Sequence, residues 1–279
     1  MDRVELSPYA LVAEDKARAF VHRDQAGERG LEDWIPSCIN AATAKLEAHC
    51  GRHLAARVWR NPVTLSCTTT ADSETVTGAS VGAQVKVLDD VSGVGIRQGT
   101  RVASITNPTT LVLTKKATAP GTVDLTFGSR VIKERGDGDP VLHIHEAPIE
   151  TLADIYSIKR RGLSGVLETI DLADADLRSE AGPGIARLEL ASGVWGKDSR
   201  YEIECRAGYP AAGSGAGLQW ESAQLEWAAL RMVQVMWQDF ATAAGRTGSL
   251  DLMQAVQRFE SFRLPDDIRA DLAPYRRIG

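Results

Sequence analysis

The stretch "LEAHCGRHLAARVWRNPVTLSC", residues 46–67, is where the chain changes character. Its first half closes a helix. Upstream, "LEDWIPSCINAATAKLEAHCGR" (31–52) places Leu31, Trp34, Ile35, Cys38, Ile39, Ala42 and Leu46 at three- and four-residue steps, the period of a helix with one buried face. Pro36 fits only in the first turn, where its missing N–H costs nothing. Gly51 is the expected stop, as a left-handed cap residue, with Arg52 beside the negative end of the helix dipole. His49 and His53 have the i, i+4 spacing of two metal ligands on one face, with Cys50 between them. A helix that ends at Gly51 breaks that shared face, so a capped helix end with incidental histidines outweighs a metal site.

From Val63 helix formers give way to Thr, Val, Ser and Gly. "SETVTG", "AQVKVLD", "TRVASIT", "TTLVLT" and "GTVDLTF" are short β-type runs split by turn residues. In the last, Val123, Leu125 and Phe127 alternate with Thr122, Asp124 and Thr126. So many short strands between 63 and 128 predict a small β-sandwich or barrel. Its charges balance: Lys86, Arg97, Arg101, Lys115 and Lys116 against Asp72, Glu74, Asp89, Asp90 and Asp124.

Outward from this block, "LVAEDKARAFVHR" (11–23) predicts a shorter helix after the start signal Ser7-Pro8. "PVLHIHEAPI" (140–149), "ADIYSIKR" (153–160), "IARLELA" (185–191) and "SRYEIECRAGYP" (199–210) predict strands, with a Gly- and Asp-rich connection running to Gly184. His143 and His145 fall on the less apolar face of the first, and read as solvated or as contacts to a neighbouring subunit before they read as half a metal site. In the last strand Tyr201, Ile203 and Cys205 face in, and Glu202, Glu204 and Arg206 face out. After the flexible joint "PAAGSGAG" (210–217), residues 218–241 predict a long helix, broken by "GRTGS" (245–249) and followed by a shorter one over 250–262. The long helix carries a wide stripe of Leu218, Leu225, Ala228, Ala229, Met232, Val235, Met236 and Phe240, broadened by Trp220, Trp227 and Trp237. A stripe of that width is either a central core helix or a subunit contact. The tail "RLPDDIRADLAPYRRIG" reads as an arm that docks on something.

The 279 residues suffice for one large or two smaller domains. A net charge of −5 argues against a protein whose task is to neutralise DNA phosphates. Cys38, Cys50, Cys67 and Cys205 show no CxxC pair, and read as buried thiols in a reducing compartment. The charged N-terminus gives no signal peptide, and no apolar run approaches the roughly 18 residues of a membrane span. No GxSxG, GxxxxGK[ST], HExxH or GxGxxG at a strand-to-helix step occurs. Asp171, Asp174 and Asp176 lack the Gly and the bidentate Glu of a calcium loop. The expectation is therefore no enzyme, no metal and no cofactor. Two alternatives stay open: a metalloenzyme built on His49, His53, His143 and His145, and a glycan-binding surface module over 63–128.

The order of these segments resembles the tailed-bacteriophage head-tail connector (adaptor) family, HK97-adaptor-like. The resemblance rests on Cys50-Gly51-Arg52 ending the long helix, Ala207-Gly208-Tyr209 ending a strand, and the closing Leu272-Ala273-Pro274-Tyr275-Arg276-Arg277. It covers roughly residues 5–62 and 130–279. The 63–128 block departs from it, and resembles the immunoglobulin-like modules that phage structural proteins acquire as insertions. The resemblance implies an α+β fold: a helical adaptor core with a small antiparallel sheet, plus an inserted all-β, sandwich-like domain. The divisions are N-terminal core helices 1–62, inserted domain 63–128, core strands and helices 129–261, and a docking arm 262–279. It implies a virion neck protein, assembled in the host cytoplasm, that forms a homo-oligomeric ring of about twelve copies. Implied partners are the portal protein, a tail or neck (stopper) protein, and double-stranded DNA that passes without specific binding; no membrane is involved. Leu272, Pro274, Tyr275, Arg276 and Arg277 are then candidates for portal docking. Trp220, Trp227, Met232, Met236 and Trp237 are candidates for the subunit interface.

Overall fold

A computed structural model describes residues 5–7, 9–21, 34–78, 81–146, 148–149, 151–161, 166–173, 175–179, 186–209, 219–247 and 262–276. The chain divides into two compact units, Met1–Ala56 with Tyr209–Gly279, and Arg57–Ala181 with Ile185–Gly208. The fold is α+β.

The first unit is helical. It holds α1 (Glu14–Val21), α2 (Ile35–Cys50), α4 (Gln219–Thr247), α5 (Asp266–Asp271) and a closing 3₁₀ turn, Ala273–Tyr275; α3, Val81–Gln84, belongs to the second unit. Pro36 sits in the first turn of α2, and Gly51 caps it at φ 67°, in the left-handed region that glycine enters without strain. On α4 the buried residues are Leu225, Ala228, Ala229, Met232, Val233, Met236 and Trp237. Their alternating steps of three and one trace one helical face, which packs against α1, α2 and α5. Leu264, Ile268, Leu272 and Tyr275 close the same core. The helix runs on through Gly245-Arg246-Thr247, past the point where the sequence suggests a break. The shorter helix expected over 250–262 lies, except for Phe262, outside the described residues.

The second unit contains a sheet and a barrel with separate apolar cores. In the sheet, β14 (Arg200–Ala207) is central. It pairs antiparallel with β10 (Ile155–Arg161) on one side, and with β1 (Arg57–Trp59) and β8 (Ile132–Arg135) on the other; β11 (Leu167–Thr169) extends β10. A three-stranded sheet, β12 (Ala175–Ser179), β13 (Ala186–Leu190) and β9 (Val141–Ile144), completes that core. Two strands, β11 and β12, thus occupy the stretch that reads as a Gly- and Asp-rich connection. Because β14 is central, Glu202 is buried rather than outward-facing, and it accepts from Arg161 at 2.7 Å.

The remaining strands, β2 (Val63–Thr69), β3 (Thr75–Thr77), β4 (Asp90–Gly93), β5 (Thr100–Asn107), β6 (Thr110–Leu113) and β7 (Gly121–Phe127), form a closed barrel in the order β2-β3-β6-β5-β4-β7. Of the sandwich or barrel that the strand pattern predicts, the barrel forms, in place of the sandwich-like domain that the resemblance implies. One sheet closes on itself and leaves no edge to pair with a second. "AQVKVLD" is likewise not a strand. It holds the end of the short α3 and a turn, because Val81 and Val85, four apart, both point into the barrel core.

Candidate functional site

Of the segments that carry the resemblance, Cys50-Gly51-Arg52, Tyr209 and Leu272 to Arg276 lie in the helical unit. The α2 end is closed by Glu47, whose backbone oxygen accepts from the Gly51 and Arg52 amides. Its carboxylate accepts from the Leu54 amide at 3.0 Å and contacts His53 Nδ1 at 3.1 Å. The chain then runs beside the Ala-Gly-Tyr segment: Tyr209 N–H donates to the Leu54 carbonyl and Ala56 N–H to that of Tyr209, both at 2.7 Å. The Tyr209 ring meets Tyr275 edge-on at 5.5 Å, and the Tyr275 hydroxyl donates to Gln224 Oε1 on α4 at 2.9 Å. The α2 end, the strand end and the C-terminal segment are therefore one packed cluster.

This cluster is ill-suited to a cation. Cys50 is buried, and burial pushes its thiol up to about 11 against the opposing fields of Arg52 and Arg276. His49 Nε2 is buried without a hydrogen-bond partner; burial lowers its pKa, and Arg276 and Arg269 lower it further. Guanidinium groups that hold an imidazole neutral repel a metal ion by the same field. His53 is committed to Glu47. His145, in the other unit, contacts Glu134 through Nδ1 at 3.0 Å, and its amide donates to the same carboxylate. Among the described residues no group of three or more His, Cys, Asp or Glu stands ready to hold a metal, and no helix is long and apolar enough to cross a membrane.

The expected docking arm packs on its own chain. Leu272 and Tyr275 are fully buried in the helical core, so neither is available to a partner in this conformation. Pro274 and Arg276 are exposed; Arg277 lies outside the described residues. The wide α4 stripe resolves the same way. Met232, Met236 and Trp237 are buried among α1, α2 and the C-terminal segment, which places them in the core rather than at a subunit interface. Trp220 lies on the first turn of α4, with its side chain outside the described set. Trp227 stands apart: it is 50% exposed, with its ring edge-on to Phe20 at 5.4 Å.

Two exposed candidates from different sets share one place. Trp227 and Pro274 line an open groove of about 580 Å³ together with Ala223, Gln224, Ala270 and Asp271. An aromatic face, small side chains and one carboxylate make a shallow binding surface. The sequence marks Trp227 and Pro274 individually. Their juxtaposition depends on α5 folding back along α4, which the stripe Leu264, Ile268, Leu272 and Tyr275 encodes at steps of four, four and three.

No protein-family profile and no curated protein matches this chain. Among solved structures it is similar to a chain from the neck of an empty gene transfer agent particle computed with C6 symmetry. The identity is 12% and the TM-score 0.39, over 100% of this chain and 95% of that one. It is also similar to a chain from the virion of a native gene transfer agent particle, at 13% identity and TM-score 0.37, over 95% of this chain and 96% of that one. At this overlap the likeness carries no argument about function.

Proposed function

We propose that the chain is a structural virion protein of the head-tail neck, an adaptor without enzymatic activity. It forms a homo-oligomeric ring between the portal protein and a tail or neck (stopper) protein, and extends the channel through which double-stranded DNA passes. One observation carries the reading: just past Cys50-Gly51-Arg52 the chain bonds through Leu54 and Ala56 to Tyr209 of the Ala-Gly-Tyr step, and Tyr209 packs on Tyr275 of the closing segment, so the places behind the connector resemblance adjoin. A closed ring needs two different faces per subunit. The groove at Trp227 and Pro274 is our candidate for one of them, and the exposed Arg276, near His49 at the α2 end, is a candidate charged contact.

The test is co-purification of the full chain with the portal protein of the same genome, scored by complex mass. Truncating the tail is the wrong instrument, since it removes the buried Leu264, Ile268, Leu272 and Tyr275. Trp227→Ala and Arg276→Ala instead change exposed side chains. A ring-sized complex with portal that either variant weakens without altering the melting curve is the expected result. A full-length protein that remains monomeric and fails to bind portal overturns the proposal.

A further inference from the structure

Among the described residues the barrel and its neighbouring sheet share no apolar core, and no barrel strand pairs with a sheet strand. Polar and cationic contacts fasten one to the other. Both connecting stems are pinned on the sheet side: Asn61 donates twice to Glu204, and Arg130 lies over the Trp59 ring at 4.9 Å. Pro62 on the way in and Ser129 on the way out lie between these pins and the barrel's own hydrogen bonds.

The turn from Lys86 to Asp89 reaches across that joint. Asp89 is completely buried; its Oδ2 accepts from the Lys86 amide at 2.7 Å and from Arg60 Nη1, on the incoming stem, at 3.1 Å. Its Oδ1 is buried with no partner. Lys86 places its ammonium 5.0 Å from the centre of the Tyr156 ring on β10. Between them Leu88 sits at φ 74°, a conformation an L side chain rarely adopts. On the outgoing stem Gly128, at φ 87°, leaves room for Arg60, whose Cγ would lie 2.9 Å from any Cβ there. A strained turn, a half-satisfied buried carboxylate and a glycine cut away for its partner all converge on one contact.

We propose that Asp89 and Lys86 form a latch that holds the barrel in one orientation over the sheet, Asp89 through Arg60 on the incoming stem and Lys86 through the Tyr156 ring. The charged groups around Asp89 are Arg60 on the stem, Lys86 and Asp90 on the turn and β4, and Tyr156 on the sheet; Arg101 stands opposite Asp90 in register. Burial raises the Asp89 pKa above the ordinary aspartate value, although the Lys86 amide and Arg60 pull it down. The closed arrangement therefore binds the proton more readily than a released, hydrated carboxyl would, and acid does not open the latch. Removing the carboxylate by substitution instead leaves Arg60 without its counter-charge, and Lys86 on Tyr156 as a weaker hold. The latch is independent of the adaptor reading.

The test is a distance distribution in the full chain, between spin labels at Ser66→Cys on the barrel and Thr169→Cys on the sheet. The four native cysteines are buried. The wild type at neutral pH should give one narrow peak. Asp89→Asn should broaden it, and Lys86→Met should broaden it further in the Asp89→Asn background. A peak that stays narrow in the double variant overturns the proposal. So does loss of the barrel's own thermal transition in Asp89→Asn, because Asp89 would then hold the barrel together rather than hold it in place. Lys86→Met, on an exposed side chain, tests the second contact if Asp89→Asn does not fold.

Discussion

The helical unit and the barrel reach their cores by opposite routes. The barrel uses one continuous run, residues 63–127, in which each strand meets partners within that run. The helical unit draws its core from residues 10–55 and from 209–275, with the whole second unit intervening in sequence. A continuous run can close without its surroundings. A core assembled from both ends must pay the loop-closure entropy of everything between. The two bodies should therefore lose structure in separate steps, and mutations chosen on each side can break or sharpen that expectation.

The largest effect is expected in the helical unit. Trp237 is buried at the C-terminal end of the buried α4 face, and Trp237→Ala should cost about 3–5 kcal/mol from lost burial and the cavity left behind. Calorimetry should show the helical transition fall sharply while the barrel transition stays. A single transition that falls as a whole would mean the two cores unfold together. Leu111→Ala, at a fully buried position in the barrel, is the mirror experiment. It should cost about 2–5 kcal/mol and leave the helical transition in place. A smaller effect belongs to Gly51→Ala, which puts a Cβ at φ 67° on the α2 cap. About 1 kcal/mol is expected, read from the midpoint of the helical transition alone.

The same contrast explains what the sequence made legible. In "GTVDLTF" the alternation names the inward residues, because a strand with one wet face must alternate. The end of α2 was readable for a similar reason: a glycine requirement is local. The barrel's closure was not local, since a sandwich and a barrel use the same alternating strands. Nor was the turn after α3, where Val85 and Val87 imitate a strand while Val81 and Val85 pack as a helix. On α4 the sequence shows the width of the stripe but not what covers it. The cover comes from Leu264, Ile268, Leu272 and Tyr275, a helical pattern obscured by Pro265, Pro274 and two arginines. The groove at Trp227 and Pro274 is a product of that fold-back, and so was visible only as two unrelated exposed residues. Asp89 gave no signal, because an Asp-Asp pair at a turn looks solvated until the stem is laid over it.

Acid should separate the two bodies by sign. In the helical unit, burial and the nearby Arg276 and Arg269 hold the His49 pKa below the ordinary imidazole value of about 6.5. Unfolding returns it to that value, so the unfolded chain binds the proton more readily over the interval between. His49 therefore contributes stability that is present above the ordinary imidazole value and is lost as pH falls through the lowered one. Asp89 runs the other way. Burial raises its folded pKa above the ordinary aspartate value of about 3.9, so the folded barrel is the better proton acceptor. Its contribution is fully present below that ordinary value and is lost as pH rises through the raised one. The separation between the helical and barrel transitions should therefore change as the protein is acidified, with the helical transition moving down relative to the barrel. His49→Gln should flatten the helical response and leave the barrel's unchanged; Asp89→Asn should do the reverse. If His49→Gln leaves the helical response intact, the acid sensitivity of that core lies in the carboxylates, with Glu47, which holds the end of α2, the first to examine.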